Sequence, residues 1–308
     1  MKILRGGLQT SFQDLGRRGF MHQGVSISGA MDADSLKLAN WLVGNDLNQV
    51  ALEVTLIGPT IEFEESMQIA VCGAHFELSF NETLIKNGRT ISVKPGDRLE
   101  FKKLLSGARA YLSFSSNPEL KESLGSYSTH LTANFGGFKG RPLKDGDEIK
   151  FGSRPYTTER KLPPELISHY SGNYLLRCTA SVESEALEKY QADFFNRKFK
   201  VSADSNRMGV RLIGTPLDIS QDISIQSSGL TPGSIQIPPS GLPIISSVDG
   251  QTTGGYPRIA NVISCDHSIL GQLRANDIVS FCLVSLEQAK KLLIDKSRYL
   301  KSTIFDLR

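Results

Sequence analysis

The sequence predicts a mainly β fold with a few short helices. Short runs of alternating apolar and polar residues, bounded by Gly, Pro or Asn, recur at residues 60–63, 69–71, 76–78, 98–101 and 110–112. The same pattern returns at residues 217–219, 224–226 and 279–281. Because tight turns rather than helices separate most of these runs, an antiparallel barrel or sandwich is favoured over a doubly wound parallel sheet.

Three segments predict helices instead. The first covers residues 32–43, with Asp32 placed to cap its start. The second covers residues 183–196, where apolar residues fall on one face at helical spacing. The third begins at Ser285, which has the capping-box relation to Gln288 three residues later.

The two halves of the chain resemble each other in two places. Residues 56–63 resemble residues 212–219, and residues 94–101 resemble residues 274–281, where a turn precedes a strand in both. Two related β subdomains explain both similarities, although chance likeness between strand and turn patterns remains an alternative.

The length of 308 residues also favours two domains. A polar, Pro-containing stretch without apolar periodicity lies between the halves at residues 153–164. We therefore expect one subdomain at residues 1–155 and a second, with a C-terminal helix, at residues 156–308.

Composition excludes several classes of function. A net charge of only +3, without basic clusters, gives no support to nucleic-acid binding. The start lacks the apolar stretch of a secretory signal and no later run is long enough to span a membrane, so we expect a cytoplasmic protein without membrane contact. Neither the five histidines nor the four cysteines have metal-ligand spacing, so no metal site is expected. No phosphate-binding loop or serine-nucleophile motif is present.

The most site-like segment is the polar, Gly-containing stretch at residues 249–257. Its glycines allow close approach of the backbone to a ligand, while its amide and hydroxyl groups are able to orient a carboxylate, carbonyl or phosphate. A polar hairpin with a glycine turn explains the same residues equally well. The candidate substrate-binding residues in it are Asp249, Gln251, Thr252, Thr253, Gly254, Gly255 and Tyr256.

Two further segments have both a binding and a structural interpretation. Arg207 lies among an acid, a second arginine and a glycine, where its guanidinium fits an anionic substrate or pairs with a surface carboxylate. Residues 24–32 lead into the first helix, whose free N–H groups suit an anion, but capping by Ser28 or Asp32 accounts for them as well. No residue type here identifies a general base, and the catalytic residues stay unassigned.

Ordered motifs along nearly the whole chain resemble one family. It is known variously as allophanate hydrolase subunit 2, biotin-dependent carboxyltransferase subdomains A and B, and the 5-oxoprolinase C subunit. The resembling segments are QDLGR at 13–17, SGAMD at 28–32, LAN at 38–40, LVGN at 42–45, ALE at 51–53, GPT at 58–60, GARAYL at 107–112, GRPL at 140–143, NRMGVRL at 206–212 and QTTGGYP at 251–257.

This resemblance implies two tandem cyclophilin-like β-barrel subdomains, without the isomerase activity of that fold name. It also implies partners, because larger members join these subdomains to a second pair that is similar to a separate bacterial subunit. We therefore expect a subunit resembling that other carboxyltransferase half, together with a third oxoprolinase subunit.

For standalone members the resemblance implies ATP-dependent opening of 5-oxoproline to glutamate, with ATP used by the assembled complex and no ATP site assigned to this chain. Two alternatives come from the same family. One is a biotin-dependent carboxyltransferase acting on urea or another amide, and the other is a regulatory antagonist that binds an inhibitor of a histidine kinase. The QTTGGY form of the loop and the absence of a biotin-carrier segment favour the oxoprolinase.

The chain departs from the family pattern in two places. A glycine pair commonly follows the AYL strand, where this chain has SSNP at 115–118, and a commonly basic position beside the loop is Gly250. These differences concern the identity of the substrate more than the fold.

Overall fold

The structure is a computed structural model that describes residues 1–152, 157–219 and 225–306, with side chains as far as residue 303. The chain divides into two compact units: unit 1 consists of Met1–Phe20 and Ile27–Tyr170, and unit 2 of Met21–Ser26 and Ser171–Arg308. The boundary expected between residues 155 and 156 lies outside the described residues and stays a prediction.

Unit 1 is built on a strongly curved antiparallel sheet. The sheet contains strands in the order β1-β4-β8-β3-β2, and β5 pairs with β6, β7 and β8. Its elements are β1 (Lys2–Arg5), β2 (Gln9–Gln13), α1 (Ala33–Leu42), β3 (Ala51–Thr55), β4 (Thr60–Glu62), β5 (Met67–Phe80), β6 (Thr83–Ile85), β7 (Thr90–Val93) and β8 (Arg98–Phe114), with a short 3₁₀ turn at Pro164–Leu166.

Unit 2 contains a closed barrel in the order β10-β11-β14-β13-β16-β9-β17 and a small sheet of β12 and β15. The elements are β9 (Asn173–Ala180), α2 (Glu188–Asn196), β10 (Phe199–Val201), β11 (Gly209–Ile213), β12 (Ser228–Gly229), β13 (Ser234–Gln236), β14 (Ile244–Ser246), β15 (Thr253–Gly254), β16 (Arg258–Val262), α3 (His267–Leu270), β17 (Ile278–Leu283) and α4 (Leu286–Asp306), with 3₁₀ turns at Met21–Gln23 and Ser264–Asp266. The predicted mainly β class is confirmed.

Each unit has its own apolar core because alternate side chains of the strands point inward. In unit 1 the core includes Phe12, Val54, Ile69, Phe101 and Leu112. In unit 2 Phe194 of α2 stacks on Phe281 of β17, with ring centroids 4.7 Å apart. None of the helices in the described ranges is both long and apolar enough to cross a bilayer.

Two pairs of predicted short strands are single long strands. The runs at 69–71 and 76–78 both belong to β5, and those at 98–101 and 110–112 both belong to β8. Gly73 has a φ of +93° and the β5–β8 register shifts directly after it, so a bulge rather than a turn interrupts the alternation. A glycine in this setting therefore bends a strand without ending it.

The strand expected at residues 217–219 is wrong. Pro216 has no N–H to donate, Leu217 makes one isolated backbone bond to Gly241, and the Ile219 N–H turns back to Leu217. Of the strand expected at 224–226, Ser224 lies outside the described residues, and residues 225 and 226 are not in a strand.

The helix predictions hold with one changed boundary. Asp32 caps α1 by accepting from the Ser35 N–H at 3.0 Å, and the capping box before α4 forms between Ser285 and Gln288, with N–H to oxygen distances of 2.8 and 3.2 Å. The second helix begins at Glu188 instead of Glu183, because the preceding residues form turns.

One of the two internal similarities is present in atomic detail. In the turn before β8 the Asp97 carboxylate accepts from the Lys94 N–H at 2.8 Å, and in the turn before β17 Asp277 accepts from the Arg274 N–H at 3.0 Å. The first similarity is not reproduced, since residues 60–62 form β4 and residues 217–219 form no strand.

Candidate functional site

Arg207 and Asp249 form a buried ion pair in unit 2. The Arg207 Nε and Nη2 atoms lie 2.8 and 3.1 Å from the two carboxylate oxygens of Asp249. Both side chains are at most 3% exposed. The sequence suggested that the Arg207 guanidinium binds an anionic substrate. Its Nε and Nη2 atoms instead pair with the carboxylate of Asp249 in the same chain.

Backbone hydrogen bonds also hold the two segments that carry Arg207 and Asp249 together. The Asp249 N–H donates to the Arg207 carbonyl at 2.9 Å, and the Ser247 N–H donates to the Met208 carbonyl at 3.1 Å. Because β11 and β14 are neighbours in the barrel, these bonds extend their ladder beyond the strand ends. The pair thus anchors the start of the polar loop that follows Asp249.

The loop from Gln251 to Tyr256 lies at the surface above this anchor. Gln251, Thr253, Gly255 and Tyr256 are exposed, and Thr252 is half-buried. Within the described parts of the chain, no hydrogen bond engages the side chains of the polar residues in this set. The loop therefore presents one carboxamide, two aliphatic hydroxyls and one phenol to solvent, all able to orient a small polar molecule.

A small sheet holds the loop in place. Thr253 and Gly254 pair with Gly229 and Ser228, and the Leu230 N–H donates to the Thr252 carbonyl at 2.8 Å. A Cβ atom at Gly254 would lie 2.6 Å from Nε2 of the buried Gln236, so a side chain at this position would displace the Gln236 carboxamide.

Arg258 supports the same sheet and was missed by the sequence reasoning. Its guanidinium donates to the Gly229 carbonyl at 2.6 Å, to the Ser228 hydroxyl at 2.9 Å and to both carboxylate oxygens of Glu183. The bond to Glu183 raises the pKa of Arg258 above its ordinary value. Arg258 follows the loop motif directly, but Glu183 is 75 residues away, so no local pattern indicates the pair.

The departure at Gly250 has a steric cause. A Cβ atom there would lie 2.7 Å from the Ser246 hydroxyl and 2.8 Å from the Met208 carbonyl. Any side chain, basic or not, would displace the backbone beneath the loop. The departure at 115–118 is structural too, since the Ser115 hydroxyl accepts from the Gln68 N–H at 2.9 Å.

Motifs of the first half form a second buried polar cluster, in unit 1. The Glu53 carboxylate accepts from the Tyr111 hydroxyl at 2.7 Å and from the Met31 N–H at 2.9 Å, and it lies 3.6 Å from the Arg109 guanidinium. The Tyr111 oxygen in turn accepts from the Asp32 N–H at 2.7 Å. We call these residues the Glu53 cluster.

The Glu53 cluster is closed to solvent. Burial, followed by the negative charges of Glu53 and Asp32, raises the pKa of Tyr111 well above its ordinary value of 10.0, so the phenol stays protonated and donates to Glu53. Asp32 accepts from the Ser35 hydroxyl at 2.6 Å and caps α1. Of the two interpretations of residues 24–32, capping by Asp32 is confirmed.

The geometry therefore separates two kinds of polar residues. The candidates Gln251, Thr252, Thr253 and Tyr256 are accessible, while Arg207 and Asp249 lie beneath them as support. Within the described ranges, no group of three or more His, Cys, Asp or Glu residues is arranged to hold a metal ion. Through its neutral hydrogen-bond donors, the loop is able to bind and orient a carbonyl or carboxylate.

The chain is similar to known proteins of two kinds, among others. It is 38% identical to the 5-oxoprolinase C subunit of Escherichia coli (strain K12), over 100% of this chain and 98% of that protein. It is 32% identical to the urea amidolyase of Saccharomyces cerevisiae, over 95% of this chain but 17% of that protein. The crystal structure of the K. lactis urea amidolyase superposes with a TM-score of 0.92 at 32% identity, covering 98% of this chain and 20% of the other.

The family match agrees with these relatives. Residues 23–283 match the family described as carboxyltransferase domain, subdomain A and B, which includes the buried ion pair, the loop and the Glu53 cluster. The chain belongs to the carboxyltransferase domain, subdomain A and B, family.

Proposed function

We propose that this chain is the C subunit of a 5-oxoprolinase, which opens 5-oxoproline to glutamate with partner subunits while ATP is hydrolysed. The observation that carries the proposal is the end-to-end match to the 5-oxoprolinase C subunit of Escherichia coli, at 100% of this chain and 98% of the relative. The urea amidolyase match covers the same residues here but only 17% of the larger protein. The standalone relative is thus the one of matching length.

The loop carries hydrogen-bond donors and an acceptor that suit 5-oxoproline. A lactam has one carbonyl acceptor and one N–H, and 5-oxoproline adds a carboxylate. The hydroxyls of Thr252 and Thr253 and the carboxamide of Gln251 provide donors and an acceptor for these groups, which orients the ring for attack. Arg207 and Asp249 act as positioning residues, since their pairing fixes the backbone from which the loop starts.

Exposure of the loop accounts for the need for partners. Tyr256 is 45% exposed and Gln251 and Thr253 are open to water in unit 2. An ATP-driven reaction requires exclusion of bulk water from its activated intermediate. We assign that enclosure to a subunit resembling the other carboxyltransferase half, and ATP to the assembled complex, acting in the cytoplasm with a third subunit.

A biotin-dependent carboxyltransferase is the second candidate function. Its supporting observation is the superposition on the K. lactis urea amidolyase, with a TM-score of 0.92 over 98% of this chain. A carboxyl transfer also needs an oriented amide, which the same loop would supply. The two functions differ in whether a biotinylated carrier is required.

The test is reconstitution of the complex from this chain and its two partner subunits. We expect glutamate release and ATP hydrolysis that depend on 5-oxoproline, only when every subunit is present and without inhibition by avidin. Thr252→Ala should lower kcat by about one to two orders of magnitude, because it removes a hydrogen bond made to the reacting group.

Thr215→Ala is the matched control, since Thr215 is an exposed threonine of unit 2 outside the loop. Activity that requires a biotinylated carrier would support the carboxyltransferase and contradict the oxoprolinase. A stable complex without turnover of either kind would contradict both enzymatic proposals.

A further inference from the structure

A pocket lies in unit 1, separate from the Glu53 cluster. An open cavity of about 480 Å³ is lined by Leu15, Gly16, Arg18, Phe20, Asn48 and the turn at residues 124–125. Cavities of this size accommodate small molecules. The loop in unit 2 and the proposed chemistry use none of its residues.

Asp14, a residue of the QDLGR motif, connects Gly16 of the pocket lining to residues 126–128, which follow Leu124 and Gly125. Its carboxylate accepts from the Gly16 N–H, the Ser126 hydroxyl and the Tyr127 N–H, each at 2.7 Å, and from the Ser128 hydroxyl at 2.5 Å. Since Asp14 is buried, these bonds hold Gly16 and residues 126–128 in place relative to each other. This part of the pocket wall is therefore fixed.

Two hydrogen-bond donors border the pocket. Arg18 is exposed and makes no ion pair or hydrogen bond within the described residues. The Asn48 carboxamide is oriented by the Leu15 N–H, which donates to its oxygen at 2.9 Å, so the Nδ2 group remains available for another acceptor. No lining residue is acidic. A guanidinium beside a carboxamide donor matches a carboxylate.

The rest of the lining is apolar or lacks a side chain. Leu15 and Phe20 are half-buried, and Leu124 is 43% exposed. At Gly125 a Cβ atom would meet nothing within 4 Å, which leaves that side of the pocket open. The lining suits a flat or apolar molecular body attached to the carboxylate.

We infer that this pocket is a binding site for a small carboxylate with a planar or apolar body, held by Arg18 and Asn48 between Leu15, Phe20 and Leu124. The inference does not depend on the proposed function, because binding is a property of this chain alone. A side chain from a partner protein is the competing occupant, and the experiment separates the two.

The experiment measures binding of benzoate and 5-oxoproline to the full chain carrying Thr252→Ala, which weakens the contribution of the unit 2 loop, so that the effect of Arg18→Gln reports the pocket in unit 1. Isothermal titration calorimetry gives the Kd, and benzamide and 2-pyrrolidinone serve as neutral counterparts without the carboxylate. We expect at least one carboxylate to bind and its counterpart to bind about tenfold more weakly or not at all.

Arg18→Gln should weaken carboxylate binding by about tenfold, while Arg98→Gln, at another exposed arginine of unit 1, should leave it unchanged. Crystals soaked with the bound carboxylate should place it between Arg18 and Asn48. The inference is overturned if no carboxylate binds with a Kd below about 10 mM, if the neutral counterparts bind equally well, or if Arg18→Gln has no effect. It is also overturned if carboxylates fail to bind while Arg18→Gln abolishes association with the partner subunits, since the pocket would then be a protein interface.

Discussion

The buried carboxylates Asp249 and Glu53 have opposite surroundings. Asp249 pairs with Arg207 directly beneath a loop whose Gln and Thr side chains are open to solvent. Glu53 lies in a strand that is buried along its whole length, and it is bonded to the equally buried Tyr111. In sequence, Glu53 belongs to the ALE segment of the family resemblance and Asp249 lies just before the QTTGGYP segment. Accessibility of the neighbouring donors, rather than the motif, distinguishes a site from a scaffold.

Because of this difference, substitutions in the two regions should affect different properties. In a closed polar cluster no ligand replaces a lost partner, so a substitution there should lower the free energy of unfolding. A loop residue that has no internal partner contributes little to the fold and is free to contribute to binding. Substitutions at the two buried carboxylates should therefore lower stability, whereas substitutions in the loop should lower activity.

Glu53→Ala should destabilise unit 1 by about 4 kcal/mol, because it leaves the buried donors of Tyr111 and Met31 without their shared acceptor and removes a carboxylate beside the Arg109 guanidinium. The measurement is urea unfolding followed by the fluorescence of Trp41, the single tryptophan, which is buried in unit 1. Glu65→Ala, at an exposed acid of the same unit, is the control. A change below about 1 kcal/mol would show that the Glu53 cluster is not a scaffold.

Asp249→Ala should destabilise unit 2 by about 3 kcal/mol, because the buried Arg207 guanidinium loses the carboxylate that accepts from its Nε and Nη2 atoms. Hydrogen exchange of peptides from β11 and β14 reports the change locally, and protection of both should fall. Asp218→Ala changes an exposed acid of the same unit and should have no effect. Unchanged protection after the loss of Asp249 would contradict the anchoring role of the pair.

Tyr111→Phe should cost about 2 kcal/mol near neutral pH, since the hydroxyl's bonds with Glu53 and with the Asp32 N–H are both lost while the ring packing is kept. The raised pKa of Tyr111 also predicts a pH dependence. The folded chain retains the phenol proton at pH values where the unfolded chain releases it, so this contribution is complete below pH 10.0 and is lost as the pH rises above it. Urea unfolding between neutral pH and the alkaline range should show a shallower decline for Tyr111→Phe than for the original chain.

Most of the fold is predictable because strand alternation and helix caps are local signals. Asp32 and Ser285 cap the helices that their spacing predicts. The long strands β5 and β8 were divided in prediction, because Gly73 resembles a turn residue in sequence and only pairing with another strand shows it to be a bulge.

The residues of the candidate site stand out in the sequence, but their arrangement does not. Arg207 and Asp249 are both identifiable as unusual, yet their pairing spans 42 residues and depends on the register of β11 with β14. For the Glu53 cluster one local signal exists, a single acid inside the otherwise uncharged run of β3. Its partner Tyr111 is 58 residues away, and no spacing rule connects them.

The most direct test compares turnover and stability in the reconstituted complex for Thr252→Ala and Tyr111→Phe. Thr252→Ala should keep the unfolding free energy within about 0.5 kcal/mol of the original chain and lose most of kcat. Tyr111→Phe should do the reverse, with lower stability and kcat within about twofold of the original. If Tyr111→Phe abolishes turnover while Thr252→Ala retains it, the working site lies at the Glu53 cluster and the division between the two regions is wrong.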